Sequence, residues 1–160
     1  MQFTLIDRIT DLQPGVSITA YKSLSLAEEY LQDHFPRFPV MPGVLMLEAM
    51  FQACAWLSYV SDDFAHSSIR LREARNVKYA DFVEPGRTLR VTATLFKQNE
   101  NALTFKAQGQ VEQTTAVSGR LVLERFNLNT QHPQREPLDQ HARREMRELY
   151  QVLYQPQEEA

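Results

Sequence analysis

Two side chains in the first third of this chain have the types needed for acid–base chemistry. His34 carries an imidazole, whose unperturbed pKa near ~6.5 makes it a neutral base at physiological pH. Glu48 stands inside an otherwise apolar run from Val44 to Val60. Its neighbours at helical spacing are Val44, Leu45, Phe51 and Gln52, and only Gln52 is polar. A carboxylate in such surroundings is expected to lose hydration and to rise in pKa. A carboxylic acid that stays protonated near neutral pH is what general-acid catalysis requires. Gln52 lies one turn further on the same face and is placed to hydrogen-bond Glu48. Gly43 is the third element. Free N–H groups at a helix start favour developing negative charge, and glycine lets a ligand approach the backbone closely. That combination suits the carbonyl oxygen of a reacting acyl group. Two plainer readings stay open: a loop histidine bonded to a backbone carbonyl, and a glutamate on a partly solvated helix face.

Positioning these groups requires a stiff loop and a long helix. Pro36, Pro39 and Pro42 fix their own φ angles and push the preceding residues toward extended backbone. The helix is expected to start at Gly43 and to end near Val60, where Ser61-Asp62-Asp63 breaks it. Before the loop, Phe3 to Asp11 and Val16 to Leu24 read as two strands of a hairpin about Gln13-Pro14-Gly15. Val16, Ile18 and Ala20 occupy one face of the second strand. Ser25 with Glu28 resembles a capping box for a short helix to Leu31. After the long helix, Ile69 to Val77 reads as extended. Thr88 to Phe96, Leu103 to Gly109 and Val117 to Leu123 form an antiparallel meander with period-two alternation. The architecture expected is α+β, one sheet covering one long helix.

Composition narrows the class. The 160 residues suit one domain, with hydrophobic and charged fractions of 43% and 23%. A net charge of -3 and the lack of a basic stripe argue against nucleic acid as partner. The single cysteine, Cys54, excludes an internal disulfide or a cysteine zinc cluster and reads as a buried, inert thiol. The N-terminus lacks a basic segment followed by an apolar one, so cytoplasm is the expected location. The Val44–Val60 run approaches the length of a bilayer span, but Glu48, Gln52 and Ser58 argue against membrane insertion. Past Asn127 the chain turns polar and proline-bearing, as a linker would. Leu138, Ala142, Met146, Leu149 and Leu153 then form a helical stripe expected to dock on the body. The division expected is 1–127 for the main domain and 128–160 for linker and amphipathic helix.

The residues quoted so far resemble a known family. His34-Phe35-Pro36, Pro39-Val40-Met41-Pro42-Gly43-Val44-Leu45, Glu48-Ala49 and Gln52 are similar to the central motif of bacterial 3-hydroxyacyl-acyl-carrier-protein dehydratases, in the subtype with Glu on the helix. A second stretch, Glu73-Ala74-Arg75 through Val83-Glu84-Pro85-Gly86, is similar to the segment preceding the family's strand meander. The resemblance covers about Phe3 to Asn127. It implies a hot-dog fold, a homodimer with sites at its interface, and possible assembly as a trimer of dimers. It also implies that His34 of one subunit faces Glu48 of the other, with Gly43 on the thioester carbonyl and Gln52, Val40 and Pro42 in support. The implied substrate is a (3R)-3-hydroxyacyl group on acyl carrier protein, the product is a trans-2-enoyl thioester, and no metal or redox cofactor takes part. Asp33 stands where the family usually has glycine, Arg87 where it commonly has an acid, and the family's N-terminal proline-histidine box is missing. A thioesterase of the same fold and a non-catalytic subunit binding acyl carrier protein are the alternatives.

Overall fold

The computed structural model describes residues 3–158. Six strands form one sheet: β1 (Arg8–Gln13), β2 (Ser17–Ser23), β3 (Ser68–Tyr79), β4 (Thr88–Gln98), β5 (Ala102–Val111) and β6 (Thr114–Phe126). Their order across the sheet is β1-β2-β4-β5-β6-β3, and every neighbouring pair is antiparallel. Helix α1 (Gly43–Ser61) lies against the inner face, and a second helix, α2 (Glu136–Leu153), follows the sheet. This is the hot-dog fold that the resemblance implies, and it meets the α+β expectation, from the sequence pattern, of one sheet covering one long helix.

The meander forms because its alternation matches the sheet's pleat. Leu89, Val91 and Ala93 of β4 face Val111, Gly109 and Ala107 of β5, and all but Val111 and Gly109 are hydrophobic residues with under a tenth of their surface exposed. Gly109 is required by close packing: a Cβ there would lie 2.8 Å from a Leu89 methyl and 2.9 Å from a Val117 methyl. Trp56, Met50, Ala53 and Cys54 of α1 fill the space above this face and are fully buried. Burial pushes the Cys54 thiol far up, so it stays protonated and unreactive.

Three elements differ from the sequence reading. The first strand is Arg8–Gln13, not Phe3 to Asp11. Leu5 and Ile6 are buried, yet the Leu5 N–H donates to Gln52 Oε1 at 2.8 Å instead of joining a ladder. Val16 lies in the turn after Gly15 (φ 74°) and is half exposed, outside the β2 alternation. The short helix before the loop is only a 3-10 turn, Glu29–Gln32. The Ser25–Glu28 contact is present but long, the Ser25 N–H donating to Glu28 Oε1 at 3.5 Å, because the same oxygen accepts from Lys22 Nζ at 2.5 Å.

The C-terminal segment packs on the body. Tyr150 packs with its ring tilted against Trp56 and Phe64, with ring centroids at 6.0 and 6.1 Å. Met146 and Leu153 enter the core, while Leu138 remains exposed. Asp139 takes the inward position instead, and its carboxylate accepts hydrogen bonds from Ser67 Oγ and the N–H groups of Leu128 and Asn129. Periodicity misses this because a buried carboxylate saturated with donors behaves as part of the packing. Burial alone would raise the Asp139 pKa, but these hydrogen bonds and Arg143 outweigh it and hold the group below the usual carboxylate range. Beyond α2, Tyr154 bridges to Ile9 and the Gln155 N–H donates to the Ile9 carbonyl at 2.8 Å, covering the free edge of β1. Among the described residues, no strand lies beside the β3 edge.

By length and composition α1 is apolar enough to cross a membrane, but 61% of that apolar window is buried within the protein. The buried part is the core of the fold. Val44 is 70% exposed, and Leu47, Glu48 and Phe51 are only partly covered. The first two turns of α1 are therefore not enclosed on all sides, because a single sheet covers one flank of a helix.

Candidate active site

The loop before α1 is held by its neighbours as well as its prolines. The Met41 N–H donates to the Val83 carbonyl at 2.9 Å, and the Phe38 N–H to the Phe35 carbonyl at 2.8 Å. Phe38 packs edge-on against Phe82 at 5.5 Å. His34 sits half-buried on this loop, its ring edge-on to Phe35 at 4.5 Å. Phe35 has φ 49°, a left-handed conformation uncommon for an aromatic residue, and it turns the backbone directly after His34. Asp33 has φ -98° and ψ -13°, an ordinary right-handed conformation, so the backbone needs no glycine there.

Pro42 is the N-cap of α1, with φ -56°, and supplies no side-chain capping bond. Gly43 is the first helical residue, where an N–H has no intrahelical acceptor. The helix start is thus left open for a ligand's oxygen. A cavity of about 260 Å³ lies before it, lined by His34, Val40, Gly43, Met46, Tyr79 and Phe82 among others. Tyr79 approaches so closely that a Cβ on Gly43 would lie 3.1 Å from its ring. A side chain at position 43 would press on that ring.

Glu48 does not line this cavity. It follows Gly43 by five residues, which places it about 140° round the helix. Its Oε1 accepts from Gln52 Nε2 at 3.0 Å. Gln52 is 1% exposed and also donates to the Phe3 carbonyl at 2.6 Å while its Oε1 receives Leu5 N–H. The Gln52–Glu48 contact is the one expected from their spacing. It engages one oxygen of the carboxyl and ties it to the N-terminal segment. On the same side of α1, Leu45 lines a larger cavity of about 700 Å³ with Phe3, Leu5 and Tyr30.

The chain therefore brings His34, Val40 and Gly43 together around one cavity, while Glu48 with Gln52 lies on another face. Tyr79 to Phe82 are site residues that the sequence reading did not single out. They fall between the two ends of the second family-like stretch, Glu73-Ala74-Arg75 and Val83-Glu84-Pro85-Gly86, which marks their neighbourhood but not their contact with Gly43. Among the described residues, no three His, Cys, Asp or Glu side chains gather as a metal site.

Fold and site together define a hot-dog protein with a cavity at the start of its long helix. The profile of the FabA-like domain matches residues 1–120, and the chain belongs to that family. It is 37% identical over 116 residues to the 3-hydroxyacyl-[acyl-carrier-protein] dehydratase FabZ of Levilactobacillus brevis, covering 72% of this chain and 78% of that protein. Against the FabZ of Dechloromonas aromatica identity is 35% over 129 residues, covering 79% and 90%. Among solved structures, the dehydratase heterocomplex ApeI:P from Xenorhabdus doucetiae superposes with TM-score 0.67 at 20% identity, covering 79% and 85%. A mutant thioesterase, PA1618 from Pseudomonas aeruginosa, gives TM-score 0.61 at 14% identity, covering 77% and 82%. Dehydratases and thioesterases share this fold, so the choice between them rests on sequence and site.

Proposed function

We propose that this protein removes water from (3R)-3-hydroxyacyl groups carried on acyl carrier protein, yielding trans-2-enoyl thioesters in fatty-acid or related lipid synthesis. FabZ relatives at 33–38% identity over most of the chain support the reaction. The observation that carries the chemistry is the uncapped start of α1 at Gly43, sharing one cavity with His34.

In this reading the thioester carbonyl accepts a hydrogen bond from Gly43 N–H, with the dipole of α1 behind it. Neutral His34 takes a proton from C2. The electron pair of that C–H bond becomes the C2=C3 double bond as the C3–O bond breaks. Glu48, protonated, gives its proton to the departing hydroxyl, which leaves as water. Gln52 holds the other side of the Glu48 carboxyl. Val40 and Pro42 shape the approach. Every step is a proton transfer, and the reading calls for no metal or redox cofactor.

His34 and Glu48 face different sides within one chain, so the reading assigns them to one site across a homodimer. The exposed Val44, the partly covered Leu47 and Phe51, and a β3 edge with no strand beside it among the described residues support such an interface. A trimer of dimers is a compatible assembly, and the cytoplasm is where the reading places enzyme and carrier protein. The deciding experiment offers 3-hydroxyacyl carrier proteins of graded chain length and follows the products by mass spectrometry. Enoyl thioester is expected. Release of free carrier-protein thiol would indicate thioester hydrolysis, and no turnover at any length a binding subunit.

A further inference from the structure

A separate cavity of about 410 Å³ lies where the start of β3, the end of β6 and the first turns after β6 meet. Its wall carries Arg70, Arg125, Arg135, His66 and His132 against one carboxylate, Glu124. The acids within reach are already engaged. Glu124 Oε2 accepts from Arg70 Nε at 2.9 Å and lies 2.8 Å from its Nη2. Asp62 contacts His66 Nδ1 at 2.6 Å and Arg125 Nη1 at 3.3 Å. Glu136 is held by Arg143 at 3.1 Å and by Asn129, which leaves Arg135 without an ion pair among the described residues.

Arg125 supplies a second, independent observation. It is only 9% exposed, and its buried Nε–H has no acceptor among the described residues. The guanidinium has no neutral form to escape to, and only Asp62, 3.3 Å from Nη1, compensates it, so an anion in the cavity that Arg125 lines meets a charge that is largely buried and incompletely paired. We propose that this cavity binds a phosphate-bearing ligand, held by Arg125 and Arg135 with Arg70 at its side. A phosphate carries nearly two charges and three acceptor oxygens, and so matches several guanidinium groups better than one carboxylate does.

The site is not the acyl site. Arg70 and Tyr79 stand nine residues apart on β3, about 30 Å at the rise of an extended strand. It is also built largely from residues beyond the matched 1–120 region, including the 3-10 turns Leu128–Thr130 and Pro133–Arg135. A ligand there bridges β3 and β6 to the turns that lead into α2. Occupancy therefore stabilises the docked C-terminal segment by mass action.

The test titrates the full chain with inorganic phosphate, glycerol 3-phosphate and, as a carboxylate control, citrate at constant ionic strength, followed by calorimetry. Saturable one-to-one binding of phosphate is expected, with weaker binding of citrate. Tighter binding of glycerol 3-phosphate would identify an ester as the natural form. Arg135→Gln, on an exposed turn, and Arg125→Lys, which keeps a charge beside Asp62, should each weaken phosphate binding about tenfold or more. Hydrogen exchange in α2 should slow when phosphate is added. Absence of saturable binding, preference for citrate, or unchanged affinity in a folded Arg135→Gln protein would overturn the proposal.

Discussion

Glu48 and Gln52 show how one side chain sets the task of another. Gln52 joins three groups: the Leu5 N–H, the Phe3 carbonyl and Glu48. Gln52→Leu leaves the buried Leu5 N–H without a partner, at about 1–3 kcal/mol, and frees the part-buried Phe3 carbonyl, readable as a lower urea midpoint. The same change releases the Glu48 carboxyl, so kcat should fall in the folded fraction as well. His34→Ala and Glu48→Ala are each expected to abolish water elimination while leaving the assembly state unchanged by light scattering. Gly43→Ala places a methyl 3.1 Å from the Tyr79 ring, in the path of a thioester oxygen. Its kcat/KM is expected to fall about tenfold or more, with little change in Tm.

At the scale of elements, the docking of α2 depends on Asp139. Its carboxyl has no exposed surface and takes its donors from Ser67 and from Leu128 and Asn129 ahead of the helix. The folded-state pKa is lowered, so the folded state holds fewer protons in the titration range and stability rises with pH there. That contribution is complete above the ordinary aspartate value of about 4 and is lost as pH falls through the lowered folded value. Asp139→Ala should cost about 3 kcal/mol at neutral pH and flatten the acid side of a stability profile measured by urea unfolding. Met146 and Leu153 each bury an apolar side chain worth about 1.5–3 kcal/mol, so release of the helix would also expose the Trp56–Tyr59–Phe64 aromatic cluster. Burial and the nearby Asp62 push the Tyr59 hydroxyl up to about 12, and its titration serves as a reporter of that release.

For the whole molecule, the separation of His34 and Glu48 around α1 leads to a complementation test. His34→Ala and Glu48→Ala proteins are each expected to be inactive alone. If each site draws one residue from each subunit, half of randomly mixed dimers are heterodimers, and one of their two sites is intact. Unfolding and refolding the two together should restore activity in about a quarter of the sites. A mixture that stays inactive would place both residues in one chain's site. The open β3 edge and the apolar Val44–Leu47–Phe51 surface should become protected from hydrogen exchange at concentrations where the dimer forms.

How much of this was legible in the sequence depends on the range of the interaction involved. Alternation of period two marked β4, β5 and β6, because each strand's pattern answers to a sheet face directly beside it. The prolines and Gly43 marked the loop and the first residue of α1, since φ restriction and the loss of a Cβ are properties of single residues. The contact between Glu48 and Gln52 followed from helical spacing alone. Tertiary structure decided what local pattern does not contain. Leu5 left the first strand because its N–H goes to Gln52, 47 residues away. Asp139 replaced Leu138 on the inner face because its donors come from Ser67 and from the turn before the helix. Tyr79 came to cover Gly43 because β3 ends beside the start of α1. The chemical identities of the candidate acid and base were written in residue type and spacing. The turn of α1 then carried Glu48 away from the cavity that His34 and Gly43 share, since the five residues from Gly43 to Glu48 rotate a side chain well away from its starting direction.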